Sequence, residues 1–349
     1  IMLKKFFQMF SNDIGIDLGT ANTLVYLKGH GIVINEPSVV VVNQKTGQIV
    51  AVGAEAKQML GRTPGHVKAV KPIVDGVISD FEVAEEMITY LINKTERISK
   101  KILRPRVVIG VPTGITNVEI RAVEDAARSA GAREVYIIEE PMSAAIGIHL
   151  PVKEAIGSVI VDVGGGTTDV AVISLSGVVC SKNIKVAGDL LNGDIINYIK
   201  DEFKLLIGER TAENIKIAIA SVSDSQALEA EVRGRDLVTG LPRQVIVTDT
   251  DIKEAIMPSI LSLVEGIKEV LETTPPELLS DIIKNGLVLS GGGAMLRGLD
   301  GFLESALKIP VYVAEDSLTA VARGAGVVLD EFETYKEVLL KTDEESISR

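Results

Sequence analysis

Tryptophan is absent from the 349 residues, cysteine occurs once, histidine three times, and aromatic residues make up only 4% of the chain. A lone Cys180 has no second cysteine with which to form an internal disulfide; it rules out a cysteine-rich metal centre and fits a reducing cytoplasmic compartment. His30, His66 and His149 show no metal-ligand spacing and are expected in surface or packing positions. Cations are also in short supply, 36 Lys and Arg against 48 Asp and Glu, for a net charge of −12. The chain therefore offers no broad basic face to displace counterions from a phosphate backbone, and nucleic acid is not an expected partner. No apolar run approaches the ~18 residues of a membrane span, and the stretch after Lys4-Lys5 meets Ser11-Asn12-Asp13 too soon for a signal peptide. Met2, behind an unusual Ile1, is expected to be the natural start.

What is present is a 46% apolar composition, enough to fill a core, over a length that suggests two domains. Three of the seven Phe crowd together at Phe6, Phe7 and Phe10. At about 100° per residue, Leu3, Phe6, Phe7 and Phe10 share one arc of a helix, with Lys4, Lys5, Gln8 and Ser11 opposite. Such a stripe either packs on the protein body or lies in a bilayer interface, with the lysines near anionic lipid. At ~1.5–3 kcal/mol per fully buried side chain, it can supply several kcal/mol before ordering costs. So short a helix is marginal alone and is expected to fold on binding. A second stretch, Lys100 to Arg106, sets Ile102 and Leu103 among four cations. By itself it reads as a solvated loop before a buried strand; together the two elements favour a membrane surface.

From Ile14 the pattern becomes that of strands. Ile14-Gly15-Ile16 leads through a polar turn at Asp17-Leu18-Gly19-Thr20-Ala21-Asn22-Thr23 to Leu24-Val25-Tyr26-Leu27. The device returns where Ser158-Val159-Ile160-Val161 runs into Asp162-Val163-Gly164-Gly165-Gly166-Thr167-Thr168-Asp169 and then Val170 to Ile173, so the chain reads as internally duplicated. Helical patterns follow at 83–94, 118–130, 190–206, 251–272 and 318–340, with strands at 106–112, 135–138 and 287–289. Strand-helix-strand alternation implies parallel pairing with right-handed crossovers, and two α/β halves around a cleft are the expected architecture.

Two glycine turns from two halves can aim backbone N–H groups at a polyphosphate, because glycine lets the main chain approach without a Cβ. Asp17 and Asp162 would then both face the phosphates, which is unfavourable unless a cation lies between them, and Mg²⁺ suits the task. A single Asp-x-Gly is usually only a hairpin turn; its repetition is what points to chemistry. A third glycine run, Gly291-Gly292-Gly293, reads either as a ligand site or as a close packing contact.

Asp17-Leu18-Gly19-Thr20, Asp162 to Thr167 and Ser290 to Gly293 resemble the two phosphate motifs and the adenosine motif of the actin, heat-shock chaperone and sugar-kinase superfamily. Asn12 to Thr23, Asn35-Glu36-Pro37-Ser38, Gly61-Arg62-Thr63-Pro64-Gly65, Glu139-Glu140-Pro141-Met142 and Gly208 to Glu213 resemble the bacterial MreB family in particular, and Lys71 to Ile78 resembles a stretch of actin. The resemblance implies an actin-like ATPase fold of two duplicated RNase H-like α/β domains, each with a smaller subdomain. On that basis the expected divisions are 1–12 (membrane segment), 13–150 (with a small subdomain at about 33–75), 151–320 (with one at about 185–248) and 321–349, a helix returning to the first domain and a polar tail. It also implies ATP or ADP with Mg²⁺ oriented by Asp17 and Asp162. Gly19, Thr20, Ala21 and Asn22, with Gly164, Gly165, Gly166 and Thr167, would hold the phosphates. Gly188, Glu213, Asn214, Ile215, Lys216, Ser290, Gly291, Gly292 and Gly293 would surround the nucleoside.

Glu140, at the end of an apolar strand and before Pro141, is the expected orienter of the attacking water, with Thr167 assisting. Its alternative is simple helix capping, and its rival is Glu139, which strand alternation sends to the opposite side. The resemblance further implies self-assembly into filaments at the inner face of the cell membrane, with wall-synthesis and transmembrane linker proteins as partners in maintaining rod shape. A small-molecule kinase of the same superfamily is the alternative. One departure from the family pattern is local: Asn192-Gly193 stands where an acidic pair is usual, and Gly193 should weaken its helix.

Overall fold

The apolar runs assemble into two five-stranded sheets of the same design. A computed structural model describes residues 13–99, 104–224 and 226–340. The amphipathic segment 1–12, Ile102 and Leu103 of the cationic stretch, and the polar tail from residue 341 lie outside the described residues. In the first sheet β1 (Ile14–Leu18), β2 (Asn22–Leu27), β3 (Gly31–Pro37), β4 (Arg106–Val111) and β5 (Glu134–Glu139) take the order β5-β4-β1-β2-β3. In the second, β6 (Ser158–Val163), β7 (Thr168–Ser174), β8 (Gly177–Ile184), β9 (Leu287–Ser290) and β10 (Val311–Val313) take the matching order β10-β9-β6-β7-β8. Pairing directions match too: β1 is antiparallel to β2 and parallel to β4, and β6 is antiparallel to β7 and parallel to β9. Asp17 is thereby aligned with Gly110 and Asp162 with Ser290. Both aspartates belong to the strands themselves, not to the turns assigned from sequence, so ladder hydrogen bonds fix their direction.

The helices cover these sheets much where periodicity places them. Asn117–Ser129 begins with a capping box between Thr116 and Glu119, and Asp249–Thr273 with one between Thr248 and Asp251. The 190–206 pattern is a helix only over Gly188–Phe203, because Lys204 turns left-handed (φ 51°) and Leu205–Leu206 joins a sheet. That helix runs through Gly193 unbroken. A larger correction falls on 318–340: Ala320–Asp330 is one helix, Glu331 leaves helical geometry (φ −115°, ψ 45°), and Phe332–Tyr335 forms a separate short turn of helix. The bend puts the Phe332 ring edge-on to Tyr136, 4.8 Å between centroids, and under the Arg106 guanidinium at 4.5 Å, which the straight continuation would forgo.

Each half also carries a three-stranded sheet. Val40–Asn43, Ile49–Val52 and Val67–Val70 hold the helix Ala54–Met59 over a small core of Val39, Val41, Ala51 and Ala56. Residues 31–37 stay with the large sheet, so this layer starts later than residue 33. Leu205–Leu206, Glu229–Asp236 and Pro242–Thr248 form the second, whose Val232 and Val247 merge with the main core of their half.

Between the large sheets lies one shared apolar cluster, with Val108 and Ile138 from the first and Ile160, Ala171 and Ile173 from the second. Two helices, Glu140–Gly147 and Ala320–Asp330, cross within it at Gly147 and Gly324. A Cβ on Gly324 would lie 1.7 Å from the Ser143 carbonyl oxygen, and one on Gly147 2.0 Å from that of Ala320. Ser143 Oγ donates to the Val321 carbonyl at 2.8 Å across the same crossing. Among the described residues no helix is long and apolar enough to cross a membrane.

Candidate functional site

The β1–β2 and β6–β7 turns face each other across a cavity of about 640 Å³ between the halves. Their approach is so close that a Cβ on Gly165 would sit 2.5 Å from the Ala21 side chain, and one on Gly166 2.6 Å from Thr20 Oγ1. Glycine is required there by proximity, not by a left-handed backbone. Thr20 Oγ1 accepts from the Gly76 amide at 3.0 Å, while Ser38 Oγ donates to the Gly19 carbonyl at 2.5 Å, so two neighbouring residues of the first turn are held from outside. In the second turn the Gly164 amide donates to the Thr167 carbonyl at 2.9 Å.

Asp17, Asp162 and Glu140 all line this cavity. Burial, and then repulsion from Asp162, push Asp17 up to about 8. Burial also pushes Asp162 up to about 6, with Asp169 adding to it, although Ser290 Oγ donates to Asp162 Oδ1 at 2.5 Å and opposes the shift. Glu140 is raised well above the usual carboxylate range by burial and by Asp169, Asp17 and Asp162 in turn. Asp169, paired in register with Asp162, is raised by burial while Thr113 donates to it twice at 2.7 Å and Asn183 at 3.1 Å. It is satisfied by protein donors; the other three face open space.

That cluster is short of positive charge, which is the chemistry a divalent cation relieves. Among the described residues no group of three or more His, Cys, Asp or Glu forms a metal cage. A cation here would be held by the Asp17 and Asp162 carboxylates, water and ligand oxygens, a donor set that fits Mg²⁺.

These shifts have a sign. Asp17 and Asp162 stand above their ordinary value of 3.8 in the folded chain, so between about pH 4 and 8 the native state binds more protons than the unfolded one, and ligand-free stability falls as pH rises. Asp17→Asn is therefore expected to melt a few degrees higher than the wild type at pH 8, the gain vanishing near pH 4, in thermal melts without nucleotide or metal. An equal gain at both pH values would remove Asp17 from this account.

Most residues assigned from sequence come together. Gly19, Thr20, Ala21, Asn22, Gly164, Gly165, Gly166, Thr167, Gly188, Glu213, Lys216, Gly291, Gly292 and Gly293 line the cavity. Three do not. Ile215 is buried in the core of its half, Asn214 is outside the lining, and Ser290 is fully buried, reaching the site only through Asp162. Glu140 lines the cavity and Glu139 does not, as strand alternation requires. Lys216 donates to the Gly188 carbonyl at 2.7 Å, and its burial pushes the ammonium down. Sequence reasoning missed Lys57, Gly76 and Asp189 in the wall, and Asn192, noticed only as a departure from pattern. Nothing in a single sequence marks Lys57; the actin-like stretch 71–78 does contain Gly76.

Two like sheets, each delivering a glycine loop and a strand-end aspartate to one cleft, define an actin-like fold of the nucleotide-binding class. The family described as MreB/Mbl protein matches residues 11–337. The chain is 51% identical to the cell shape-determining protein Mbl of Bacillus subtilis (strain 168), over 92% of this chain and 97% of that one. It is 53% identical to the cell shape-determining protein MreB of Escherichia coli (strain K12), over 94% and 96%. Among solved structures, Spiroplasma citri MreB5 bound to ADP superposes with a TM-score of 0.89 at 36% identity, over 94% of this chain and 98% of that one. The chain belongs to the MreB/Mbl family.

Proposed function

We propose that this chain is a membrane-associated, actin-like cytoskeletal protein that binds and hydrolyses ATP, polymerises into filaments and organises wall synthesis to maintain rod shape. The observation that carries the ATP reading is the convergence of both glycine loops on a cavity where Asp17, Asp162 and Glu140 crowd together, none of them ion-paired among the described residues. The relatives named for ADP binding and for cell shape support it.

In this reading the amides of 19–22 and 164–167 grip the phosphates, and Asp17 and Asp162 hold Mg²⁺, which supplies charge neutralisation on the phosphate oxygens. Glu213 and Lys216 contact the nucleoside on one side, and Gly291 to Gly293 give it room on the other. Ser290 fixes the orientation of Asp162. Glu140 accepts from the attacking water and aligns it, with the Thr167 hydroxyl assisting; positioning, more than covalent work, lowers the barrier.

Support for the membrane is positional. Asp13 pairs with Arg106 through Arg106 Nη2 and Asp13 Oδ2 at 2.9 Å, and Ile14 is in register with Val107. The apolar segment before Asp13 and the cationic stretch before Arg106 therefore join the fold at neighbouring points on one end of the first sheet. They can address one bilayer together, on the cytoplasmic side.

Sedimentation with anionic liposomes tests both halves of the proposal. With ATP, the full chain is expected to pellet as filaments on lipid, and a chain lacking residues 1–10 to stay in the supernatant. A monomer that never pellets, and that phosphorylates a sugar, would instead be a small-molecule kinase.

A further inference from the structure

Two lysines of the first half cross the mouth of the cleft. Lys71, just after the strand Val67–Val70, donates to Asp189 Oδ2 at 2.9 Å and Glu209 Oε1 at 2.5 Å. Lys57, on the helix Ala54–Met59, donates to Glu213 Oε1 at 2.9 Å. Their acceptors sit on the elements that build the site. Asp189 adjoins Gly188, and its amide donates to the Gly165 carbonyl at 2.7 Å; Glu209 and Glu213 are one turn apart on the helix Glu209–Ile219, which also carries Lys216.

A second cavity, about 300 Å³, lies beside these pairs and is lined by Lys71 and Glu209. It shares Thr20, Ala21, Lys57, Asp189, Asn192 and Glu213 with the larger one, which makes it a vestibule to that site. Asn192, 3% exposed at the junction, has an Oδ1 without a hydrogen-bond partner among the described residues, a cost that water entering the junction would remove. The lysine pairs bridge the two sides of the mouth next to it. Their side chains are 28% to 52% exposed, so salt can screen them.

We propose that Lys71, seconded by Lys57, is a salt-sensitive latch that sets the rate at which nucleotide leaves the cleft. This rests on the nucleotide reading of the larger cavity. The lysines act on exchange by holding the Gly188–Asp189 turn and the start of the helix Glu209–Ile219 against the first half.

The full chain, loaded with methylanthraniloyl-ADP and Mg²⁺, is chased with excess ADP at about 50 mM and about 500 mM salt, either side of strong screening. At low salt Lys71→Met is expected to release the probe about five-fold faster than the wild type, with Lys71→Arg close to wild type. High salt is expected to speed the wild type toward the Lys71→Met rate and leave that variant nearly unchanged. Glu209→Gln, altering a half-exposed acceptor, should give a smaller acceleration of the same kind, even if Lys71→Met folds poorly. Equal release from the wild type and both uncharged variants, with the same salt response, overturns the latch alone. Failure of the wild type to bind the probe removes the nucleotide reading and the latch together.

Discussion

Glu140→Gln is expected to slow ATP hydrolysis about 100-fold or more while leaving nucleotide affinity within a few-fold. The carboxylate reaches the cavity from the first residue of the helix Glu140–Gly147, with Pro141 behind it presetting the first turn. Gly110 borders it: a Cβ there would rest in ordinary contact with Glu140 Cγ at 3.4 Å and would collide instead with Val321 Cγ1 at 2.9 Å. Burial and three neighbouring aspartates raise its proton affinity, so in its ionised form it accepts a hydrogen bond from water more strongly than an ordinary glutamate does. The effect should be specific. Glu139→Gln, whose side chain is outside the cavity lining, should hydrolyse at close to the wild-type rate. The glutamine at 140 should also raise the ligand-free melting temperature, since it removes one member of a self-repelling cluster. Single-turnover phosphate release, with nucleotide binding measured separately, decides the matter; undiminished release from Glu140→Gln would take the role away from it.

Gly324→Ala is expected to be among the most destabilising single-methyl additions in the chain, costing about 2–4 kcal/mol. The new Cβ would fall 1.7 Å from the Ser143 carbonyl oxygen and 2.9 Å from Ser143 Oγ, and most of that obstacle is backbone. Relief would require the helices Glu140–Gly147 and Ala320–Asp330 to separate, losing the Ser143 to Val321 hydrogen bond and opening the apolar cluster between the large sheets. Gly301→Ala makes the opposite comparison: it lies within the helix Leu299–Leu307 with nothing inside 4 Å of the added methyl, so helix propensity alone should stabilise by about 0.5–1 kcal/mol. Denaturant midpoints for the two variants should move in opposite directions. A Gly324→Ala chain as stable as the wild type would mean the crossing is looser than the close approach implies.

The strands and the duplication were legible because both rest on local signals. Alternating and continuous apolar runs ended in glycine at Gly19 and Gly164, and one repeated aspartate tied the runs together. The break at Glu331 was not legible, since the helical period continues across it and only a distant partner, Tyr136 with Arg106, makes the bend worthwhile. Ser290 and Ile215 show the same limit at the site: a motif gives the segment, whereas the strand ladder and the helix face decide which side chains reach the cavity. Lys57 and Lys71 had no pattern to betray them, because each acts on an acceptor more than 100 positions away in the chain.

Gly110 and Ser290 occupy the same place in the two copies of the fold, each alongside its strand's aspartate. At one the absence of a side chain leaves room that Val321 fills, with Glu140 beside it; at the other a side chain is present, and its hydroxyl donates to Asp162. Two sheets of one design are thus unlike at their centre. In the proposed ATPase the two halves would therefore divide the work unequally: the first presents the Glu140 carboxylate beside Gly110, and the second commits the matching position, Ser290, to holding Asp162.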